Sequence, residues 1–254
     1  MTSALIGHTG FVGGNLASQQ SFDAQYNSSN IEEIAGRSFD LVVCAGAPGA
    51  KWLANQDPEG DRAAIERLMR TLQRVSAARF VLISTVDVFA HAVGVDETTR
   101  VDVDRGSPYG RHRRELEQLV ESHFANVLVV RLPGLFGHGL KKNVIFDFLH
   151  ENRLDRVPSD GVFQFYDLAQ ITRDIERCLA AAVPLVHFAT EPVSVADVAR
   201  VAFGREFTNR LDTPAPRYDI RTIHARHFGR AGNYIATKDE TLERIGAFVR
   251  GVRS

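Results

Sequence analysis

The chain has 254 residues with 31 acids against 30 lysines and arginines, and 44% of its residues are hydrophobic. That length buries a large core and excludes a disordered, collagenous or coiled-coil chain, while a net charge of −1 gives no footprint for nucleic acid. Two distant cysteines, Cys44 and Cys178, form neither a disulfide framework nor a metal spacing and fit a reducing, cytoplasmic setting; no apolar run of 18 residues and no signal-peptide pattern at Met1 to Leu5 points to a membrane.

Short apolar runs alternate with helical periodicity. Ala4 to Ile6 is a strand ending in glycine, and Phe11 to Gln20 reads as a helix. Asp40 to Ala45 is a second continuous apolar run. Asp61 to Ala77 carries Ile65, Leu68, Met69, Leu72 and Val75 at helical spacing. Phe80 to Ile83 is a strand, Tyr109 to His123 a helix, and Val127 to Val130 a strand again. Strands without polar alternation are buried on both faces, so the pattern predicts an α/β fold: a Rossmann-like, doubly wound parallel sheet with helices on both faces.

After Arg131 the rhythm changes. Pro133, Gly134, Gly137 and Gly139 mark a long loop, and helices are predicted over Val144–Glu151, Leu168–Ala182, Val195–Phe203 and Asp239–Val252. Short strands are predicted at 162–165 and 185–188, and Thr213 to Arg217 reads as extended loop. The expected organisation is one Rossmann-type domain over 1–254, with a small C-terminal substrate lobe built mainly by about 138–165 and 189–235.

Gly7-His8-Thr9-Gly10-Phe11-Val12-Gly13 follows the first strand and opens the first helix. A turn without side chains lets backbone N–H groups approach a pyrophosphate, and the helix N-terminus favours its charge. A glycine triplet alone is a weak sign; in this context the dinucleotide reading outweighs that of a plain packing turn. Glu32 and Glu33 fall near the usual distance for a ribose-binding acid, but Ser29 to Glu33 reads as a capped helix start. The second strand ends near Tyr26, Asn27 and Ser28, none of them acidic, which permits NADP as well as NAD. No histidine spacing, including that of His8 and His138, suggests a metal site.

Five motifs occur in order: the glycine loop, Val42-Val43-Cys44-Ala45-Gly46, Ile83-Ser84-Thr85-Val86-Asp87-Val88-Phe89, Ser107-Pro108-Tyr109-Gly110, and Arg131-Leu132-Pro133-Gly134-Leu135-Phe136-Gly137. Over residues 1 to about 200 the chain resembles the extended short-chain dehydrogenase/reductases, the NAD-dependent epimerase/dehydratase family of nucleotide-sugar enzymes. The resemblance implies a hydroxyl residue at Thr85, with Ser84 as second choice, and a general acid/base at Tyr109. It implies a cofactor, NAD or NADP, held by the glycine loop, by Asn27 and Ser28, by Ala45, Gly46 and Ala47, and by Pro133 beside the nicotinamide. The family's lysine, four residues beyond the tyrosine, is replaced by Arg113. An arginine supplies charge, but as a flat fork in place of a compact ammonium. The family's dehydratases carry an Asp-Glu pair after the hydroxyl residue; Val86-Asp87 stands here, which disfavours 4,6-dehydration and leaves epimerisation or carbonyl reduction.

On the substrate side, Lys51 and Trp52 follow the strand ending at Cys44. Lys51 meets a phosphate or is an ordinary solvated lysine; Trp52, expected in a loop, stacks on a base or sugar or covers the core. Lys142 and Asn143 precede a helix and suit a diphosphate, with plain surface charge as the alternative. Tyr218 and Arg221 belong to a segment placed to reach over the pocket. The chain is short for the family, so the expected substrate is sugar-like and smaller than a full UDP- or dTDP-sugar. A homodimer through Asp61–Ala77 and Tyr109–His123 is a further expectation, without nucleic-acid or membrane partners. The competing reading is a non-catalytic NAD(P)-binding sensor or regulatory protein, favoured by Arg113.

Overall fold

The computed structural model describes residues 1–253. The elements in chain order are β1 (Ser3–Ile6), α1 (Phe11–Gln19), β2 (Ala24–Tyr26), β3 (Ser38–Cys44), α2 (Lys51–Gln56), α3 (Pro58–Leu72), β4 (Ser76–Thr85), β5 (Val93–Val95) and α4 (Pro108–His123). They continue with β6 (Val127–Leu132), β7 (Gly134–Phe136), α5 (Val144–His150), β8 (Val162–Phe163), β9 (Phe165–Asp167), α6 (Ile171–Ala180), β10 (Leu185–His187), β11 (Val193–Ser194), α7 (Val195–Phe203), β12 (Asp219–Ile220) and α8 (Lys238–Arg253). The chain divides into two compact units, one of 1–91, 99–132 and 171–186, the other of 92–98, 133–170 and 187–254.

The first unit is built on a six-stranded sheet of order β10-β6-β4-β3-β1-β2. β1 pairs in parallel with both β2 and β3, β3 with β4, and β4 with β6. The chain steps to opposite sides of β1, first to β2 and then to β3, so the carboxyl end of β1 is a topological switch point. Alternate residues serve the two faces. Ala4, Ile6, Val42, Cys44, Phe80 and Leu82 pack with Ile65, Leu68 and Leu72 of α3 and Leu116 and Val120 of α4. α1 and α6 touch one another, with α1 against β1 and α6 against β6. This is the expected Rossmann-like parallel sheet flanked by helices.

Two boundaries differ for physical reasons. Helix α3 starts at Pro58, earlier than its apolar stripe suggests, because Asp57 accepts a bond from the Gly60 N–H (3.0 Å) and Pro58 occupies the first turn. It ends at Leu72, and Val75, which continues the stripe, lies in the turn before β4. The expected capped helix after Ser29 is a single 3-10 turn, Ile31–Ile34, and Asn30 makes no side-chain cap to it.

The second unit has its own core, in which Phe136, Ile145, Phe148 and Phe165 pack with Val195, Val198, Leu242, Ile245 and Val249 of α7 and α8. The run expected as one strand near 162–165 is broken at Gln164. That buried amide donates to the carbonyls of Thr190 (2.5 Å) and Ile220 (2.7 Å) and accepts from the Ile220 N–H (2.7 Å), tying three segments together. Segments 138–165 and 189–235 fall within this unit.

Candidate functional site

The glycine loop is shaped by close approach. Gly7 has φ +87°, and a Cβ there would lie 2.4 Å from the Ala45 carbonyl oxygen. A Cβ on Gly13 would lie 2.0 Å from the Gly7 oxygen, so only glycine lets α1 sit this near β1. Gly10 caps α1 without a side-chain bond, and the first turn, from Phe11 and Val12, carries no acid. The loop's N–H groups and the helix dipole thus suit a diphosphate, and the cradle has no side chain to fill it. Thr9 is exposed, while His8 turns inward, its Nδ1 3.0 Å from the Tyr26 carbonyl, which also accepts from the Gly7 N–H at 2.7 Å. His8 therefore ties the loop to β2. Asn27 accepts from the Ser29 N–H (2.9 Å) and hydroxyl (2.6 Å), and Ser28 is exposed; no acid stands at this strand end. Ala45, Gly46 and Ala47 follow β3 half-buried beside the loop.

At the carboxyl end of the neighbouring β4, Thr85 lies close enough to Tyr109 to help lower the proton affinity of its hydroxyl. Thr85 Oγ1 also accepts from the Asp87 N–H (3.1 Å) at the start of the 3-10 turn Val86–Val88. Helix α4 is capped by Ser107, which accepts from the Gly110 N–H (3.2 Å). A Cβ on Gly110 would lie 2.1 Å from the Asp87 carbonyl, so the Tyr-Gly pair brings α4 tightly onto that turn. Burial pushes the Tyr109 hydroxyl above the ordinary tyrosine range, Arg113 and Lys51 pull it down, and Asp87 pushes it up; the balance remains raised.

Ser84, the second choice for the hydroxyl role, is instead a buried structural residue. It donates to Glu117 (2.5 Å), which also binds Arg131 (2.7 and 2.9 Å) and Arg114 (2.8 Å). The strand's alternation sends Ser84 and Thr85 to opposite faces, which leaves Thr85 as the hydroxyl beside Tyr109.

Arg113 departs from what the resemblance implies. It is buried and grips Asp61 with both terminal nitrogens, Nη2–Oδ1 at 2.8 Å and Nη1 to Oδ2. Nη1 also donates to the Tyr109 carbonyl (3.3 Å) and Nη2 to the Pro48 carbonyl. His112 Nδ1 lies 2.7 Å from the same Asp61. The guanidinium covers the Tyr109 ring, with 3.9 Å from its carbon to the ring centre. All four terminal N–H groups are thereby engaged, and the Nε–H is buried without a partner. Asp61 carried no signal in the sequence beyond an acid in the first turn of a helix.

Lys51 and Trp52 lie on helix α2, not in a loop. Trp52 is 65% exposed, so it does not cover the core. Lys51 Nζ is 2.7 Å from Asp87 Oδ1, an ion pair and not a lone solvated charge. Asn55, one turn along the same helix, accepts from the Tyr109 N–H (3.2 Å). Neither Asn55 nor Asp87 stood out in the sequence as a site residue.

In the second unit Pro133 is half-buried and Lys142 exposed. Asn143 is a structural cap: at φ +126° its Oδ1 accepts from the Ile145 (2.9 Å) and Phe146 (3.1 Å) N–H groups, and its Nδ2 donates to the Leu135 carbonyl (2.8 Å). The diphosphate role expected of Asn143 gives way to that capping. The Tyr218 ring stacks on Phe163 at 5.9 Å. Arg221 donates to Asp219 (3.0 Å), which also accepts from the Tyr234 hydroxyl (2.5 Å). Among the described residues no group of three or more His, Cys, Asp or Glu is placed to hold a metal, and no helix is long and apolar enough to cross a membrane.

A family model described as the NAD dependent epimerase/dehydratase family matches residues 20–161, more than half of the chain. No curated protein matches. Among solved structures, a dTDP-4-dehydrorhamnose reductase from Clostridium acetobutylicum superimposes with a TM-score of 0.73 at 15% identity, covering 100% of both chains. MoeE5 in complex with UDP-glucose and NAD gives 0.71 at 19%, again covering 100% of both. A dTDP-4-dehydrorhamnose reductase from Bacillus anthracis in complex with NADP gives 0.72 at 18%, covering 98% of this chain and 99% of its own. At these identities the likeness is one of fold.

Proposed function

The chain belongs to the NAD-dependent epimerase/dehydratase family, and from that premise we propose that it is an NAD(P)-dependent reductase or epimerase acting on a sugar-like carbonyl or hydroxyl. The observation that carries this reading is the packing of the Tyr109–Gly110 turn of α4 onto the turn that Thr85 starts at the carboxyl end of β4, along the same sheet edge as the uncapped glycine cradle. When bound, the dinucleotide supplies or accepts the hydride. The glycine loop holds its diphosphate, the 45–47 turn and the Asn27–Ser28 turn border it, and Arg113 Nε–H serves its nicotinamide end.

Thr85 and Tyr109 then take the substrate oxygen between them. In reduction the carbonyl oxygen gains negative charge, Thr85 donates a hydrogen bond to it, and Tyr109 gives up its proton. In oxidation Tyr109 accepts that proton from the hydroxyl. Burial holds the Tyr109 hydroxyl in its protonated form, the form that acts as the acid in reduction. Val86 follows Thr85, so no acid pair is present there for 4,6-dehydration. Lys51 and Trp52 on α2 are the substrate-side candidates of this unit, for a ligand smaller than a full nucleotide sugar. The protein pairs as a homodimer through α3 and α4.

Absorbance at 340 nm, with NADH or NADPH and a panel of keto-sugars and their nucleotide forms, tests the reading. Wild type is expected to oxidise one cofactor with at least one substrate, and Tyr109→Phe to lose about 10²-fold or more of that rate. Full turnover in Tyr109→Phe would remove the assignment. The engagement of Arg113 with Asp61 favours one alternative, a nucleotide-binding protein without turnover; cofactor binding with neither cofactor oxidation nor interconversion of any sugar epimers is its signature.

A further inference from the structure

We propose that Lys51 is a positioning residue for Tyr109, a second cation beside Arg113 that supports the tyrosine by neutralising Asp87. The inference rests on the reading of Tyr109 as the acid/base.

The geometry starts from Arg113. Its fork closes on Asp61, a side chain only 4% exposed, and the rest of its terminal hydrogens go to backbone carbonyls. His112 lies against the same carboxylate, and the guanidinium, 3.9 Å over the Tyr109 ring, is the stronger of the two cations acting on the hydroxyl. The face that remains is built by α2. Lys51 and Asn55, four residues apart, share one face of that helix. Asn55 holds the backbone N–H of Tyr109, and Lys51 holds Asp87. Asp87 is coupled to the site twice over: its N–H bonds Thr85 Oγ1, and its carbonyl abuts Gly110. Helix α2 thus fixes the tyrosine and the nearby carboxylate together.

The charged groups around the Tyr109 hydroxyl come from three elements: Arg113 of α4, which is tied to Asp61 of α3; Asp87 of the turn after β4; and Lys51 of α2. Of the two cations, Lys51 is on the accessible side, with its side chain 42% exposed, whereas Arg113 is locked. Removing Lys51 leaves an unneutralised carboxylate near the tyrosine, which opposes tyrosinate. Removing the Asp87 charge does the reverse.

The test is a pH titration of the full chain, without ligand, labelled with ¹³Cζ-tyrosine. The chain has five tyrosines, and the Tyr109 signal is the one lost in Tyr109→Phe. Lys51→Met is expected to leave about tenfold less Tyr109 tyrosinate at a given pH. Lys51→Arg should titrate like wild type, and Asp87→Asn should titrate at lower pH. The basic limb of the turnover profile should move in Lys51→Met and Asp87→Asn and stay in place in Lys51→Arg. An unchanged Tyr109 titration in both Lys51→Met and Asp87→Asn, in folded protein, overturns the proposal; so does an equal upward shift in Lys51→Arg and Lys51→Met. Failure of the underlying reading looks different, since Tyr109→Phe would then turn over normally whatever the titration shows.

Discussion

Arg113 and Asp61 are the most consequential pair of side chains at the residue scale. Burying an ion pair gains little by itself, but breaking one leaves an uncompensated charge in the interior. Arg113→Met should therefore destabilise the protein by about 3–5 kcal/mol, read from urea unfolding. Adding Asp61→Leu should restore most of the loss; a double variant as unstable as the single would show that the guanidinium acts by packing alone. The pair also has a pH signature. Burial pushes the Asp61 carboxyl up, and the bonds from Arg113 and His112 outweigh it and hold it below the ordinary carboxylate range. A carboxyl depressed in the folded state stabilises above its unfolded pKa of about 3.9 and loses that contribution as the pH falls through its folded value. The stability gap between wild type and Asp61→Asn should thus be constant near neutrality and close in acid. A gap that widened in acid would reverse the assignment.

At the scale of elements, two glycines set how closely a helix meets the site. Gly110→Ala forces a methyl toward the Asp87 carbonyl and should cost about 1–3 kcal/mol by overpacking as α4 lifts off the turn. An unchanged melting temperature would mean the turn yields freely. Cys44 offers a check on β3: burial pushes its thiol up to about 11, so a thiol reagent should leave it unmodified until the chain unfolds. Modification in native protein would place that strand end at the surface. These contacts also mark where the sequence was legible. The sheet and α3, α4 and α7 followed from apolar runs and helical spacing, which report burial directly. The glycine turn after β1 followed from its motif. Partners joined across long sequence separations left no such trace: Asp61 to Arg113, Asn55 to Tyr109 and Lys51 to Asp87 look in the sequence like ordinary polar residues of surface helices and turns. Asn143 misled for a related reason, because a helix cap and a diphosphate ligand use the same residue type at the same place.

For the whole molecule, the account is of a parallel sheet that gathers a dinucleotide cradle and a hydroxyl pair along one edge. The register supports it: Ile6, Cys44 and Leu82 are aligned across β1, β3 and β4, and β4 runs on to Thr85. Binding to the folded state alone stabilises by about 2.7 kcal/mol at 100 times the dissociation constant, which is a shift of several degrees for a chain of this size. The most direct measurement is the thermal unfolding of nucleotide-free protein with NAD, NADH, NADP and NADPH, alongside Gly13→Val, whose side chain would run into the Gly7 carbonyl. The account predicts a clear upward shift with one oxidised and reduced pair, absent in a folded Gly13→Val. No shift in wild type with any of the four, in protein shown by denaturation to carry no nucleotide, would contradict it.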